Sequence, residues 1–316
     1  MDLLSDIISV SRLGRPHSAR VHRRSPFHRR LAQSEAAGFH VVLRGTCWVA
    51  APGFEPAQLR PGDIVFFPRG SAHALMEKPT AVSFDGDQET SSNISIEQLE
   101  STENCRVKNA LSANVAMLCG AYLLDRSCFH PLLEEMPEML HFPAEAGAQW
   151  QLRATIELLG AEVDRGLLGV DTAICALLDL MFLYILRTWL AESSHRRRTA
   201  GWSAALKDSR IAAALAGIHS EPAKPWTVAT LASAAGLSRA AFARRFSSLL
   251  GQSPAAYLTL WRMMVATRLM RDSDLQLAAI AAQIGYSSEY AFAHAFKRLH
   301  GISPGAYHRG WKKPGG

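Results

Sequence analysis

The chain changes its hydrophobic rhythm along its length. From Phe39 to about Leu124 the apolar residues come in short runs broken by turn residues. FHVVLRGTCWVA is split at Arg44-Gly45, RPGD precedes IVFF, and AVSF and NVAMLCGAYLL follow. Short apolar runs at close spacing predict antiparallel strands that stack as a sandwich or close into a barrel. SCFHPLLEEMPEMLHFPAEAG is irregular, and from Trp150 to Glu192 the pattern becomes helical. The most apolar helical run, AICALLDLMFLYIL (Ala173 to Leu186), has 14 residues with Asp179 inside it. It is short for a bilayer span and is expected to be a buried or dimerising helix. SSHRRRTAG (Ser193 to Gly201) reads as a solvated linker, and everything after Trp202 is helical, punctuated by Gly, Ser and Pro.

Within that last part the pattern occurs twice. Phe242, Phe246, Gly251, Ser253, Pro254 and Tyr257 recur 50 residues later as Phe292, Phe296, Gly301, Ser303, Pro304 and Tyr307. A match at six positions in one register marks a duplicated helical unit. Each unit has the requirements of a helix-turn-helix. Ala232 and Ala281 leave room for a crossing helix, and Gly236 and Gly285, four residues on, can take the positive φ of the turn. Ser238, and Ser287 or Ser288, can cap the next helix, whose paired phenylalanines at i, i+4 pin it to a core. Between the units, PAAYLTLWRMMVATRLMRD is an uninterrupted helical pattern. A rigid helix of about 27 Å would hold two recognition helices about one DNA turn apart.

The second unit, IAAQIGYSSEYAFAHAFKRLHGISPGAY, resembles the signature of the AraC/XylS family of bacterial transcription regulators along its whole length. The resemblance extends from about Trp226 to Trp311 and implies a DNA-binding domain with helix-turn-helix units at about 226–251 and 275–301. It places the base-reading positions on Ala240, Ala243 and Arg244, flanked by Arg239 and Arg245, and on Glu289, Tyr290 and His294, with Lys297 beside them. Arg244 suits a guanine edge, Arg239 and Arg245 suit phosphates, and the alanines offer at most a methyl contact to thymine.

The stretch GDIVFFPRGSAH (Gly62 to His73) resembles the second signature motif of the cupin barrel, whose histidine holds a metal. The first cupin motif should then supply a histidine pair and a glutamate. Counting back from Gly45 puts Gly38 at the glutamate position, and RRLAQSEAA has no histidine. One or two imidazoles do not fix a transition metal, so neither a metal nor catalysis is expected. The whole chain resembles AraC-type regulators with an N-terminal cupin-like effector domain.

The expected fold class is α+β in two domains. Residues 1–148 form a cupin-like antiparallel β-barrel, 149–200 a helical dimerisation segment and linker, and 201–316 an all-α domain of two helix-turn-helix units joined by a long helix. His40, Trp48 and His73 are expected to line the barrel interior and touch a small effector, and Cys119 and Cys128 are the candidates for sensing an oxidant.

Charge supports the division. From Lys207 onward there are 14 Lys and Arg against 5 Asp and Glu, whereas the preceding part has 20 against 23. The basic part fits a polyanionic partner, double-stranded DNA. Five cysteines and an N-terminus with Asp2 and Asp6 fit a reducing cytoplasm and no leader or membrane segment. The implied protein is a homodimeric, cofactor-free regulator that meets RNA polymerase and more commonly activates. The rival reading is a metal-dependent cupin enzyme fused to a DNA-binding module.

Overall fold

The computed structural model describes residues 2–79, 114–144, 150–165, 167–195 and 200–312. The run AVSF and Cys105 lie outside them, as does the middle of the expected linker. The described residues group into two compact units, neither of them one continuous piece of chain. One comprises Leu13–Leu124 and Met136–Thr188, the other Met1–Arg12, Asp125–Glu135 and Trp189–Gly316. The chain therefore passes between units at 12, 124, 135 and 188.

In the first unit, nine described strands form two antiparallel-paired sheets. They are β1 (Arg12–Arg23), β2 (His28–Leu31), β3 (Ala36–Arg44), β4 (Cys47–Ala50), β5 (Ala57–Leu59), β6 (Ile64–Phe67), β7 (His73–Met76), β8 (Val115–Leu124) and β9 (Leu140–Phe142). One sheet has the order β1-β8-β3-β6-β9 and the other β2-β7-β4-β5. Strand alternation sends Val42, Val65, Phe67, Met117 and Cys119 of the first sheet into one core with Cys47, Val49 and Leu75 of the second. The unbroken apolar run IVFF is buried on both faces, and this accounts for its lack of alternation. On the far face, Phe66 packs on Tyr122 and Phe182, and Tyr122 donates its hydroxyl to the Leu178 carbonyl at 2.7 Å. Gly70 sits at φ +60°, where a Cβ would overlap the carbonyl oxygens of Ala36 and Ser34, so the glycine of the cupin-like motif serves the turn.

Phe182 lies on the longer of two helices that complete this region, Trp150–Arg165 and Val170–His195. The second has 26 residues, longer than its 14-residue apolar run suggested, because helix propensity continues on both sides of that run. By length and composition it is the one described helix that could cross a membrane, but Leu178, Met181, Phe182, Ile185 and Leu186 are buried in the protein.

The second unit is helical. Its elements are α1 (Leu3–Ser11), a short 3-10 turn (Arg126–Cys128), α2 (Pro131–Glu134) and then, numbering the two helices above α3 and α4, α5 (Trp202–Lys207), α6 (Ser209–Ser220), α7 (Val228–Ala234), α8 (Arg239–Leu250), α9 (Pro254–Asp272), α10 (Leu277–Gln283), α11 (Glu289–His300) and α12 (Pro304–Lys312). The duplicated sequence folds into duplicated structure. Leu237 N–H bonds the Ala232 carbonyl and Tyr286 N–H the Ala281 carbonyl, both at 2.9 Å, across turns made by Gly236 at φ +62° and Gly285 at φ +82°. Ser238 caps α8 through Ala241 N–H and Ser288, not Ser287, caps α11 through Ala291 N–H. Ser253 and Pro254 start the 19-residue α9.

Candidate nucleic-acid interface and sensor site

The buried face of each recognition helix determines what the other face can offer. Phe242, Phe246 and Leu250 of α8 are buried, as are Phe292, Ala295 and Phe296 of α11. The phenylalanine pairs lie 5.6 and 5.7 Å apart, and Tyr257 and Tyr307 close the two clusters at 6.0 Å from Phe246 and 5.5 Å from Phe296. Helical periodicity then leaves Arg239, Ala240 and Arg244 exposed on α8 with Ala243 partly so, and Glu289, Tyr290, His294 and Lys297 exposed on α11. Tyr290, at 83% exposure, is a large aromatic ring with no core to serve. The two helices differ in charge placement. The positive charge of α8 lies at its start and middle, at Arg239, Arg244 and Arg245, and that of α11 in its second half, at Lys297 and Arg298.

Arg245 has a structural partner. Its Nε bonds the carboxylate of Asp208, which also caps α6 through the N–H groups of Arg210 and Ile211. The side chain therefore ties α8 to α6, and only its remaining N–H groups are left for a further partner.

Some residues that organise this unit carry no local sequence signal. Leu132 N–H donates to Nδ1 of His130 at 3.1 Å, so the neutral ring carries its proton on Nε2 and directs it at the Tyr257 hydroxyl, 3.1 Å away. Tyr257 in turn lies 2.6 Å from Nε2 of His219, whose Nδ1 faces the Asp6 carboxylate of α1 at 3.7 Å. Trp261 stacks on His219 at 3.6 Å. Burial holds His130 well below the usual imidazole range, with His219 adding to the effect. It lowers His219 as well, against the opposing pull of Asp6. Arg271, at the end of α9, forms a buried ion pair with Asp125 at 2.5 Å and bonds the Val10 carbonyl at 3.1 Å.

The sandwich holds the expected sensor residues in two places. His40 of β3 and His73 of β7 meet between the sheets, Nε2 to Nε2 at 2.8 Å, and His73 stacks on Phe67 at 3.8 Å. Because His73 Nδ1–H donates to the Ser71 carbonyl at 2.8 Å, its Nε2 is the acceptor and His40 is the donor. Nδ1 of His40 is then a buried lone pair without a partner. Burial pushes His40 well down and His73 down to about 4. Trp48 does not join them. Cys47 and Val49 point into the core, so Trp48 faces the opposite side of its sheet and packs on Ala50, Ala74 and Met76.

Among the described residues no third histidine, cysteine or carboxylate adds to the pair to make a metal-ligating group. The thiols of Cys119 and Cys128 are buried and each is pushed up to about 12 by desolvation. A cleft of about 450 Å³ lies outside the sandwich, lined by Val42, Gly62, Ile156 and the Arg20–Asp164 ion pair.

A family model described as Cupin matches residues 2–191, and one described as Helix-turn-helix domain matches 231–310. An AraC-like transcription regulator of Streptomyces lividans is 31% identical over 295 residues, covering 92% of each chain. The RCS-specific HTH-type transcriptional activator RclR of Escherichia coli K12 is 28% identical over 253 residues, 79% of this chain and 76% of its own. Among solved structures, the DNA-binding domain of AdpA in complex with a target DNA is 32% identical, with a TM-score of 0.32, over 34% of this chain and 97% of that one. The chain belongs to the AraC-like transcription regulators, with a cupin domain followed by a helix-turn-helix DNA-binding domain.

Proposed function

We propose that this regulator reads two successive major grooves of one duplex, α8 in one and α11 in the next. The observation that carries this reading is the pair of recognition helices presented by one uninterrupted helix, α9, each with its polar face exposed. Nineteen residues span about 28 Å, close to one turn of DNA. Arg244 reads a base edge, Arg239 and Lys297 hold phosphates, Ala240 and Ala243 allow close approach, and Glu289, Tyr290 and His294 supply the second helix's contacts. Arg245 contributes from its pair with Asp208.

The cupin domain senses a small effector, and the effector's donor group meets the free lone pair of His40 beside His73. Trp48, on the other face, takes no part. An oxidant acting on Cys119 or Cys128 is the weaker reading, since thiols at about 12 leave roughly one in 10⁵ ionised at pH 7. The regulator acts in the cytoplasm as a homodimer through α3 and α4. Only a third of the most apolar stretch of α4 is buried, and Leu167 and Leu168 beside it are exposed. Effector binding then biases the dimer toward an arrangement that engages DNA and RNA polymerase and activates transcription.

The test is a hydroxyl-radical footprint of the full chain on DNA upstream of its own gene. Two protected stretches on one face of the duplex, about one helical turn apart, are expected. A single stretch, or protection independent of sequence, would remove the two-groove reading.

A further inference from the structure

The two tyrosines that close the duplicated cores, Tyr257 and Tyr307, occupy the same position of the repeat, and both are bonded to one short segment that precedes the repeat by more than a hundred residues. His130 Nε2–H meets the Tyr257 hydroxyl at 3.1 Å, and the Tyr307 hydroxyl donates to Asp125 at 3.3 Å. Asp125 also takes Arg271 of α9 and the N–H and hydroxyl of Ser127. The segment Asp125–His130 thus holds both ends of the spacer helix α9, through Tyr257 where it packs on Phe246 of α8 and through Arg271, and holds α12 through Tyr307 where it packs on Phe296 of α11. We propose that this segment is a clasp that positions α11 relative to α8, with Asp125 as the positioning residue for the second recognition helix.

The chemistry suits a clasp. Both partners of the Asp125–Arg271 pair have side chains only 5% exposed. A buried charge pair is directional and is either made or broken, unlike apolar packing, which tolerates small slips. The clasp is also tied to the sensor domain through the backbone. Asp125 follows β8 directly, and β8 pairs with β1. Asp125 N–H continues that ladder to the Ser11 carbonyl at 2.7 Å, where α1 ends. Arg268 and Arg271 of α9 grip the same place, through Ser9 Oγ at 2.6 Å and the Val10 carbonyl at 3.1 Å. A register or twist change in the β1–β8 pair therefore reaches the clasp through two peptide bonds, without a new contact.

The inference rests on α8 and α11 each serving one half-site, and the test separates the two claims. The probe is a duplex selected from a random pool by the unaltered full-length chain. In a hydroxyl-radical footprint with this probe, D125N is expected to lose protection of the half-site read by α11 and to keep the other. Overall affinity should fall about tenfold, as for a typical coupling between sites, at an unchanged circular-dichroism spectrum. Full protection of both halves, or equal weakening of both in a folded variant, would overturn the clasp. Should D125N not fold, Y307F carries the test, because it keeps the ring on Phe296 and removes only the hydroxyl. A loss of about threefold confined to the α11 half is then expected, and no change overturns the proposal. Arg244→Ala run alongside reports on α8 alone. If it leaves both halves untouched, the groove assignment fails independently of the clasp.

Discussion

Tyr257 donates its hydroxyl to Nε2 of His219 at 2.6 Å while accepting at 3.1 Å from Nε2–H of His130, whose tautomer Leu132 N–H sets, so one tyrosine links two buried histidines of opposite tautomer. Both rings are neutral in this arrangement, and a proton added to Nε2 of His219 would displace the tyrosine's donor bond.

Stability should therefore fall on acidification. His40, His73, His130 and His219 all lie below the ordinary 6.5 when folded, His73 at about 4. A base with a lowered folded pKa binds its proton more readily unfolded. Its contribution is complete above 6.5 and is lost as pH falls from 6.5 toward the folded value. Each such proton is worth about 1.4 kcal/mol per pH unit inside that window. Urea midpoints at pH 7.5 should exceed those at pH 5, and a flat profile would refute the neutral-histidine network.

Arg244→Ala should lower specific DNA affinity by about 1 to 3 kcal/mol and relax preference at one base pair. The check is a polarisation titration against the selected duplex and its single-base variants, in which equal weakening on every sequence would make Arg244 a phosphate contact.

Lys297→Ala should weaken all duplexes alike and reduce the slope of log affinity against log salt by about 1. An unchanged slope would place Lys297 away from the backbone.

Arg245→Ala should act mainly on the fold, because its guanidinium ties α8 to the cap of α6. The side chain is 55% exposed, which limits the loss to roughly 0.2 to 1 kcal/mol in a urea melt. A larger effect on DNA affinity than that of Arg244→Ala would reverse the two assignments.

Cys47, Cys119 and Cys128 should resist iodoacetamide in the native chain at pH 7.5, since burial pushes each thiol up to about 12. Of the four cysteines among the described residues, Cys175, which is partly exposed, should react first. Rapid labelling of Cys119 or Cys128, read by mass spectrometry of the peptides, would restore the oxidant reading.

The recognition helices were legible because their requirements are local. A serine cap, a turn glycine, two phenylalanines at i, i+4 and a terminal glycine are each specified within about a dozen residues, and duplication doubled the signal. The face that Trp48 takes is not legible in the sequence, because side-chain direction in a strand alternates and the chain does not announce its register. Nothing near Asp6, Asp125 or His130 points to His219, Arg271, Tyr257 or Tyr307, since these partners are joined only when distant segments fold together.

Sequence by itself thus determined the helices, their caps, the two-unit repeat and the basic character of the DNA-binding part, all of which follow from short-range backbone and side-chain preferences. The tertiary structure alone decided that α1 and residues 125–135 belong with that part, that His40 meets His73 across two sheets and that Arg245 has a protein partner. Buried polar groups must find partners wherever folding brings them, and that pairing is set by three-dimensional proximity, which sequence spacing does not encode.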